Sequence, residues 1–279
     1  MKQNLTLKSL TPLALALAAP LALALAAPLA MADASVEEYR AMLADKDANP
    51  AYLVIDQGEA LFKSKRGPKN ASLEKCDFGL GPGVLKGAYA QLPRYFKDTR
   101  RVQDLESRLV TCMVTLQGFN EAEVKQKLYA DQRLNESNTE LEAIAVYVAY
   151  QSNGMKINPP LKHAAEKEML KVGEAYFWHR HGPLDFSCAT CHAEDGKRVR
   201  LQGLANAYNK KDIQVTMSTW PTYRVSHGVV RNMQHRMWDC HWQMRTPDID
   251  YGSPATVALI SFLTHQAKGA TYDVPGIKR

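Results

Sequence analysis

Phe186-Ser187-Cys188-Ala189-Thr190-Cys191-His192 contains the pattern Cys-x-x-Cys-His, the attachment signature of a c-type haem. The chemistry dictates the spacing. Two thiols two residues apart, on one turn, add to the two vinyl groups of a haem, and the adjacent histidine then lies under the iron as proximal ligand. A thioredoxin-like Cys-x-x-Cys needs no following histidine and wants a βαβ context, which the surrounding sequence lacks. A zinc site wants a second Cys/His pair at matching spacing. The stretch therefore predicts one haem c, with Cys188 and Cys191 as thioether residues and His192 as an axial ligand.

Outward from this motif, the chain has 279 residues, 46% hydrophobic and 23% charged, which excludes a disordered or fibrous protein. Lys and Arg number 35 against 29 Asp and Glu, a formal charge of +6. That bias is too weak and too scattered to argue for nucleic acid, but it suits an anionic substrate. The first residues read as an address. Lys2 and Lys8 precede an apolar stretch from Leu10 to Ala30, and Ala30-Met31-Ala32 is a small-x-small cleavage site. Residues 1–32 are expected to be a signal peptide. A transmembrane anchor fits less well, because the eight-residue unit Pro12–Ala19 repeats as Pro20–Ala27 and proline disrupts a spanning helix. No basic stop-transfer cluster follows it, and no later run of about 20 apolar residues exists. The mature chain is expected to be exported to the periplasm, with no membrane span, where disulfides persist.

The remaining chain repeats itself. Gly58-Glu59-Ala60-Leu61-Phe62 returns as Gly173-Glu174-Ala175-Tyr176-Phe177, and Ala143–Val148 as Ala258–Leu263, both at an offset of 115. Gly67-Pro68 and Gly182-Pro183 share that offset, as do Gln151 and Gly154 with Gln266 and Gly269. Cys76 and Cys188 differ by 112, while Pro93 with Pro221 and Cys112 with Cys240 differ by 128. The second copy thus loses three residues, gains sixteen and later loses thirteen. Each copy reads as helix, loop, cysteine, long irregular segment and closing helix. The closing helices are expected over Glu140–Gln151, capped by Ser137, and Thr256–Gln266, capped by Ser253, with Gly269 past the end. No alternating strand pattern persists. The expected fold is mainly α, two tandem cytochrome c-like domains over residues 33–154 and 155–279, only the second carrying haem.

The copies diverge at the chemistry. Opposite Cys188–His192, the first copy has Cys76-Asp77-Phe78-Gly79-Leu80, without the second cysteine or the histidine. Both keep Arg-x-x-x-Cys, as Arg108…Cys112 and Arg236…Cys240. If the folds correspond, Cys112 approaches Cys76, and with no haem between them the pair can close a disulfide. The alternative is two buried thiols, which an exported protein seldom keeps.

On the far side of the iron, spacing alone favours a methionine. Met217, Met233, Met237 and Met244 are candidates, and so are His227, His235, His241 and His265. Cys240 is the odd cysteine left over, a soft anionic donor that stabilises ferric iron.

Ser187–His192, Trp220-Pro221-Thr222-Tyr223-Arg224, Arg236-Met237-Trp238-Asp239-Cys240 and the closing helix before Gly269 together resemble SoxA, the catalytic cytochrome family of the SoxAX thiosulfate-oxidising complexes. The resemblance covers nearly the whole chain after the leader, and its single haem motif resembles the members whose N-terminal haem is replaced by a disulfide. It implies that Cys240 is the other axial ligand and the active-site residue, commonly a persulfide, and that Arg236 holds the anionic substrate; Arg245 is a weaker candidate. The implied reaction joins thiosulfate to a cysteine of a SoxYZ-like carrier protein, with electrons passing to a SoxX-like cytochrome. A cysteine held on iron is a poor nucleophile, so it either dissociates or reacts through the outer sulfur of a persulfide. Rival readings are a plain periplasmic electron carrier and a tetrathionate-forming thiosulfate dehydrogenase. The histidines permit copper without arguing for it. The basic stretch Lys63–Lys69 reads as a solvated face.

Overall fold

The computed structural model describes residues 45, 49–129, 137–199 and 202–278; the expected leader lies outside them. Contacts divide the chain into Met1–Asn49 and Pro50–Arg279, and every element below belongs to the second unit. In chain order these are α1 (Ala51–Lys63), β1 (Arg94–Phe96), β2 (Arg101–Gln103), α2 (Leu105–Cys112), α3 (Glu121–Tyr129), α4 (Glu140–Tyr150) and α5 (Ala164–Trp178). There follow α6 (Cys188–His192), β3 (Arg198–Val199), β4 (Gln202–Gly203), α7 (Lys210–Met217), β5 (Thr222–Arg224), β6 (Val229–Arg231), α8 (Met233–Gln243), α9 (Pro254–Gln266) and β7 (Gly276–Lys278).

Two helix pairs form the frame, α1 on α4 and α5 on α9. Helix α1 turns Ala51, Ile55, Gly58 and Phe62 inward, the spacing of an amphipathic helix. Its partner α4 buries every residue from Leu141 to Ala149, as a helix apolar on all sides must. Glycine sets how closely each pair approaches. A Cβ on Gly58 would lie 2.0 Å from the Ala143 carbonyl oxygen, and one on Gly173 would lie 2.0 Å from that of Ala258. Only hydrogen fits at either place.

Local chemistry fixes the helix ends. Thr139, not the expected Ser137, caps α4: its hydroxyl accepts from Glu142 N at 3.2 Å, while Glu142 accepts from Thr139 N at 3.0 Å, a capping box. Ser253 caps α9 as expected, accepting from Thr256 N at 3.2 Å, with Pro254 in the first turn.

The mainly α expectation agrees with a helix-rich fold, to which the structure adds short strands. β1 and β2 pair antiparallel, Arg94 opposite Gln103, and β5 and β6 likewise, Thr222 opposite Arg231. The same offset of 128 relates the two ladders. β7 adds to β5 in parallel. These strands are two or three residues long, too short for period-2 alternation to register.

The segments expected to be irregular contain helices, α2 and α3 before residue 154 and α7 and α8 after it. Two of them bury polar side chains, Glu106 and Arg108 on α2 and Gln234, His235, Asp239 and His241 on α8, which erases the apolar stripe a sequence reading relies on. The sixteen inserted residues between Cys188 and Pro221 build the β3–β4 hairpin and α7. The thirteen residues missing later fall where the first half has α3.

Cys76 and Cys112 form a disulfide, and the fully buried Phe78 beside it stacks on Phe62 with ring centroids 6.4 Å apart. Polar contacts join the halves. Arg231 donates to both Glu142 carboxylate oxygens at 3.1 and 3.2 Å in a buried ion pair, and Gln234 Nε2 donates to Asp104 Oδ2 at 2.6 Å. The basic stretch is more than a solvated face. Arg66 pairs with Glu140, and Lys69 donates to the Thr115 carbonyl at 2.8 Å. Among the described residues no helix is long and apolar enough to cross a membrane.

Candidate functional site

Helix α6 is five residues, too short to stand alone, and Ser187 holds it. Its hydroxyl accepts from Thr190 N at 3.2 Å, and its amide donates to the Thr190 hydroxyl at 3.1 Å. Cys188, Cys191 and His192 then occupy positions i, i+3 and i+4, one face of the turn. All three line a cavity of about 850 Å³, within the roughly 300–1,000 Å³ of cofactor-sized sites.

The donor set fits a covalent haem. Both cysteines are free thiols. His192 Nδ1 lies 2.8 Å from the Ala205 carbonyl oxygen; a carbonyl only accepts, so Nδ1 carries the proton and Nε2 is left with the lone pair that iron takes. Burial lowers the His192 pKa, with Arg236 adding to the effect, which keeps the imidazole neutral as ligation needs. Also on the cavity lining, His181 Nδ1 donates to the His179 carbonyl at 2.9 Å, and its buried Nε2 has no hydrogen-bond partner among the described residues.

Helix α8 brings the second set. Asn232 caps it, accepting from His235 N at 2.8 Å, so Arg236 and Cys240 fall one turn apart on one face. Both line the cavity. Arg236 donates to Asp239 Oδ2 at 2.7 Å. Burial raises the Cys240 pKa, and the Arg236 guanidinium opposes the rise. Cys188 is pushed up to about 12, by burial first and then by the Cys240 sulfur; both cysteines line the same cavity. Much of the lining comes from the inserted segment, including Leu204, Ile213 and Met217.

Met217, Met233, Met237 and Met244 all line the cavity with Cys240. The histidine candidates separate. His241 Nδ1 donates to the Met237 carbonyl at 2.7 Å, so Nε2 accepts from the Tyr176 hydroxyl at 3.0 Å, and both nitrogens are engaged. His235 and His265 lie off the cavity, the first bonded to Tyr251 and the second to the Ser261 carbonyl; burial pushes the His235 pKa down to about 2. His227 is on the wall. Arg245 is not, and its guanidinium sits 5.4 Å above the Trp242 ring instead. Among the described residues no group of three His, Cys, Asp or Glu could hold a further metal ion. Sequence reasoning passed over His181, Arg224 and Lys278, all cavity residues. The pairing of Asp239 with Arg236 was legible as an i, i+3 contact; the others carry no local signal.

Three comparisons bear on this arrangement. The family model for the SoxA/TsdA cytochrome c domain matches residues 57–157, the half with the disulfide. The crystal structure of SoxXA from P. pantotrophus superposes with a TM-score of 0.70 at 21% identity, covering 87% of this chain and 84% of that one, a likeness of fold. An L-cysteine S-thiosulfotransferase subunit SoxA of Hydrogenobacter thermophilus is 34% identical over 239 residues, 85% of each chain. One of Hydrogenophilus thermoluteolus is 46% identical over 245 residues, 88% of each chain. Identity at that level along nearly nine-tenths of both chains is a family relation, and this chain belongs to the SoxA family.

Proposed function

We propose that the chain is the catalytic subunit of an L-cysteine S-thiosulfotransferase: it joins thiosulfate oxidatively to a cysteine of a SoxYZ-like carrier protein in the periplasm, after loss of a signal peptide. The observation that carries this reading is Arg236 and Cys240, one turn apart on α8, in the same cavity as the attachment turn Cys188–His192.

Cys188 and Cys191 would hold haem c by thioethers, and His192 and Cys240 would bind its iron. When bound, that haem supplies a one-electron acceptor, relayed to a SoxX-like cytochrome in a heterodimer. The chain's own residues do the rest. The Arg236 guanidinium holds the sulfonate by charge-assisted hydrogen bonds. The thiolate of Cys240 and the terminal sulfur of thiosulfate form a sulfur–sulfur bond with loss of two electrons. The carrier thiolate then attacks that terminal sulfur, the bond to Cys240 breaks, and Cys240 leaves as thiolate. The net change is a carrier thiol and thiosulfate giving an S-thiosulfonate, one proton and two electrons.

We read the halves as tandem cytochrome c-like domains from a duplication, 33–154 and 155–279, with the disulfide in place of the first haem. Matching glycine contacts at Gly58 and Gly173 and matching ladders at β1–β2 and β5–β6 support this.

The test is intact mass of the mature protein, with and without a thiol reductant, before and after thiosulfate and carrier. One haem, a reductant-removable thiosulfate adduct mapped to Cys240 when the carrier is withheld, and a thiosulfonate on the carrier thiol when it is added are expected. Cys240 unmodified throughout would favour a plain electron carrier. Tetrathionate formed without any carrier would favour the dehydrogenase.

A further inference from the structure

Three cations meet on the cavity wall, Arg224 on β5, Arg236 on α8 and Lys278 on β7. Arg224 and Lys278 are side by side, direct partners across the parallel β5–β7 pair. The carboxylate that acts on this group is Asp239, and Arg236 already holds it at 2.7 Å. Arg231, next along the sheet, is neutralised by Glu142. Lys278 Nζ lies 6.0 Å from the Trp220 ring centroid, and both residues line the cavity. Burial, and then the charge of Arg236, lowers the pKa of Arg224. Burial, and then Arg224 and Arg236, lowers that of Lys278 to about 8. Gathering like charges where water is scarce is unfavourable unless a counter-ion joins them.

We propose that Arg224 and Lys278 complete, with Arg236, an oxyanion cradle that takes the sulfonate end of a small sulfur dianion and turns its terminal sulfur toward Cys240. The proposal rests on the thiosulfate reading above and adds the residues that position the substrate. A sulfonate has three oxygens to satisfy, and Arg236 spends one nitrogen on Asp239. The forked donors of Arg224 and the point charge of Lys278 match what remains. Both are positioning residues.

The experiment is equilibrium dialysis of radiolabelled thiosulfate against the haem-loaded chain in complex with its cytochrome partner, alongside steady-state transfer to the carrier. Arg224→Gln and Lys278→Met should each raise the dissociation constant about tenfold, the worth of one charge-assisted hydrogen bond, and make binding less sensitive to salt. In turnover the loss should fall on KM more than on kcat. Lys278→Arg, which keeps the charge, should restore affinity, and Arg245→Gln, off the cavity, should leave it alone. Unchanged dissociation constants in both variants overturn the cradle; if haem content or reduction potential shifts instead, the two cations serve the haem carboxylates. Failure of the two readings is distinguishable. Thiosulfate bound through these cations without transfer to a carrier leaves the cradle standing and removes the proposed function, whereas transfer with unaltered binding in the variants does the reverse. No binding by the unaltered protein overturns the cradle outright.

Discussion

Arg108 and Arg236 each stand four residues before a cysteine, on α2 and α8, and their surroundings differ completely. Arg108 Nε donates to the Asp77 carbonyl at 2.6 Å, one terminal nitrogen donates to Asp98 at 2.7 Å, and the guanidinium lies 4.1 Å above the Phe96 ring. Asp77 follows Cys76, where the second half has the attachment turn. Its carboxylate accepts from Gly79 N and Gly81 N at 2.6 and 3.0 Å, closing a tight loop that seats Phe78 in the core. Arg236 has one acidic partner and otherwise faces open cavity. One scaffold thus yields a locked arginine beside a disulfide and an arginine beside a free thiol. A conserved-looking frame says little about chemistry until the loop that fills or vacates its centre is known.

The largest test of this contrast is Cys240→Ala against Cys112→Ala. The first should lower thiosulfate transfer about 10³-fold or more, as loss of a covalent participant does, while haem stays attached through Cys188 and Cys191. The second should leave turnover per folded molecule intact and cost about 2–4 kcal/mol of stability, read as the urea midpoint with and without the bridge that spans 36 positions. Turnover surviving in Cys240→Ala would erase the difference in role.

Next come the arginines. Arg236→Gln should lower kcat/KM about 100-fold, and Arg108→Gln should cost about 1–3 kcal/mol of stability with transfer unaffected, each removing charged hydrogen bonds in a different currency. Stopped-flow transfer and chemical denaturation on the same samples separate the two.

The frame itself should respond symmetrically. Gly58→Ala and Gly173→Ala both force a Cβ into a backbone carbonyl, and each should cost about 1–3 kcal/mol, the usual penalty of overpacking. A clear inequality in thermal melts would show that the two helix crossings are not equivalent.

The smallest effect concerns pH. Glu106 is buried on α2, and burial, then Asp104, hold its pKa well above the carboxylate range; at the offset of 128 the second half has Gln234. An acid whose folded pKa is raised binds its proton more tightly folded than unfolded, so stability falls as pH rises from its unfolded value through its folded one. Glu106→Gln should flatten that decline, measured as denaturant midpoints from pH 4 to pH 8. An unaltered slope would place the pH response elsewhere.

Much of the site was legible in the chain. Cys188, Cys191 and His192 are adjacent, so their joint geometry follows from one turn of helix, and Arg236 and Cys240 are likewise one turn apart. The offsets of 115 and 128 also exposed the paired framework. Short strands were not legible, nor were helices whose inward faces carry Glu106, Arg108, Gln234 or His235, because such polar groups find their partners outside their own helix, Arg108 on Asp77 and Asp98, His235 on Tyr251 and Gln234 on Asp104, 130 residues away.

The sequence by itself determined the Cys-x-x-Cys-His turn, the repeated spacings and the unequal residues around its two cysteine positions, since each is written in residues close together or in a constant offset. Only the tertiary structure decided which methionines and histidines face the cavity, that the inserted segment supplies one of its walls, and that Arg224 and Lys278 stand beside Arg236. Arg224 and Lys278 are brought together by a strand pairing that joins residues 224 and 278, and a parallel register set by distant hydrogen bonds leaves no local trace in composition or spacing.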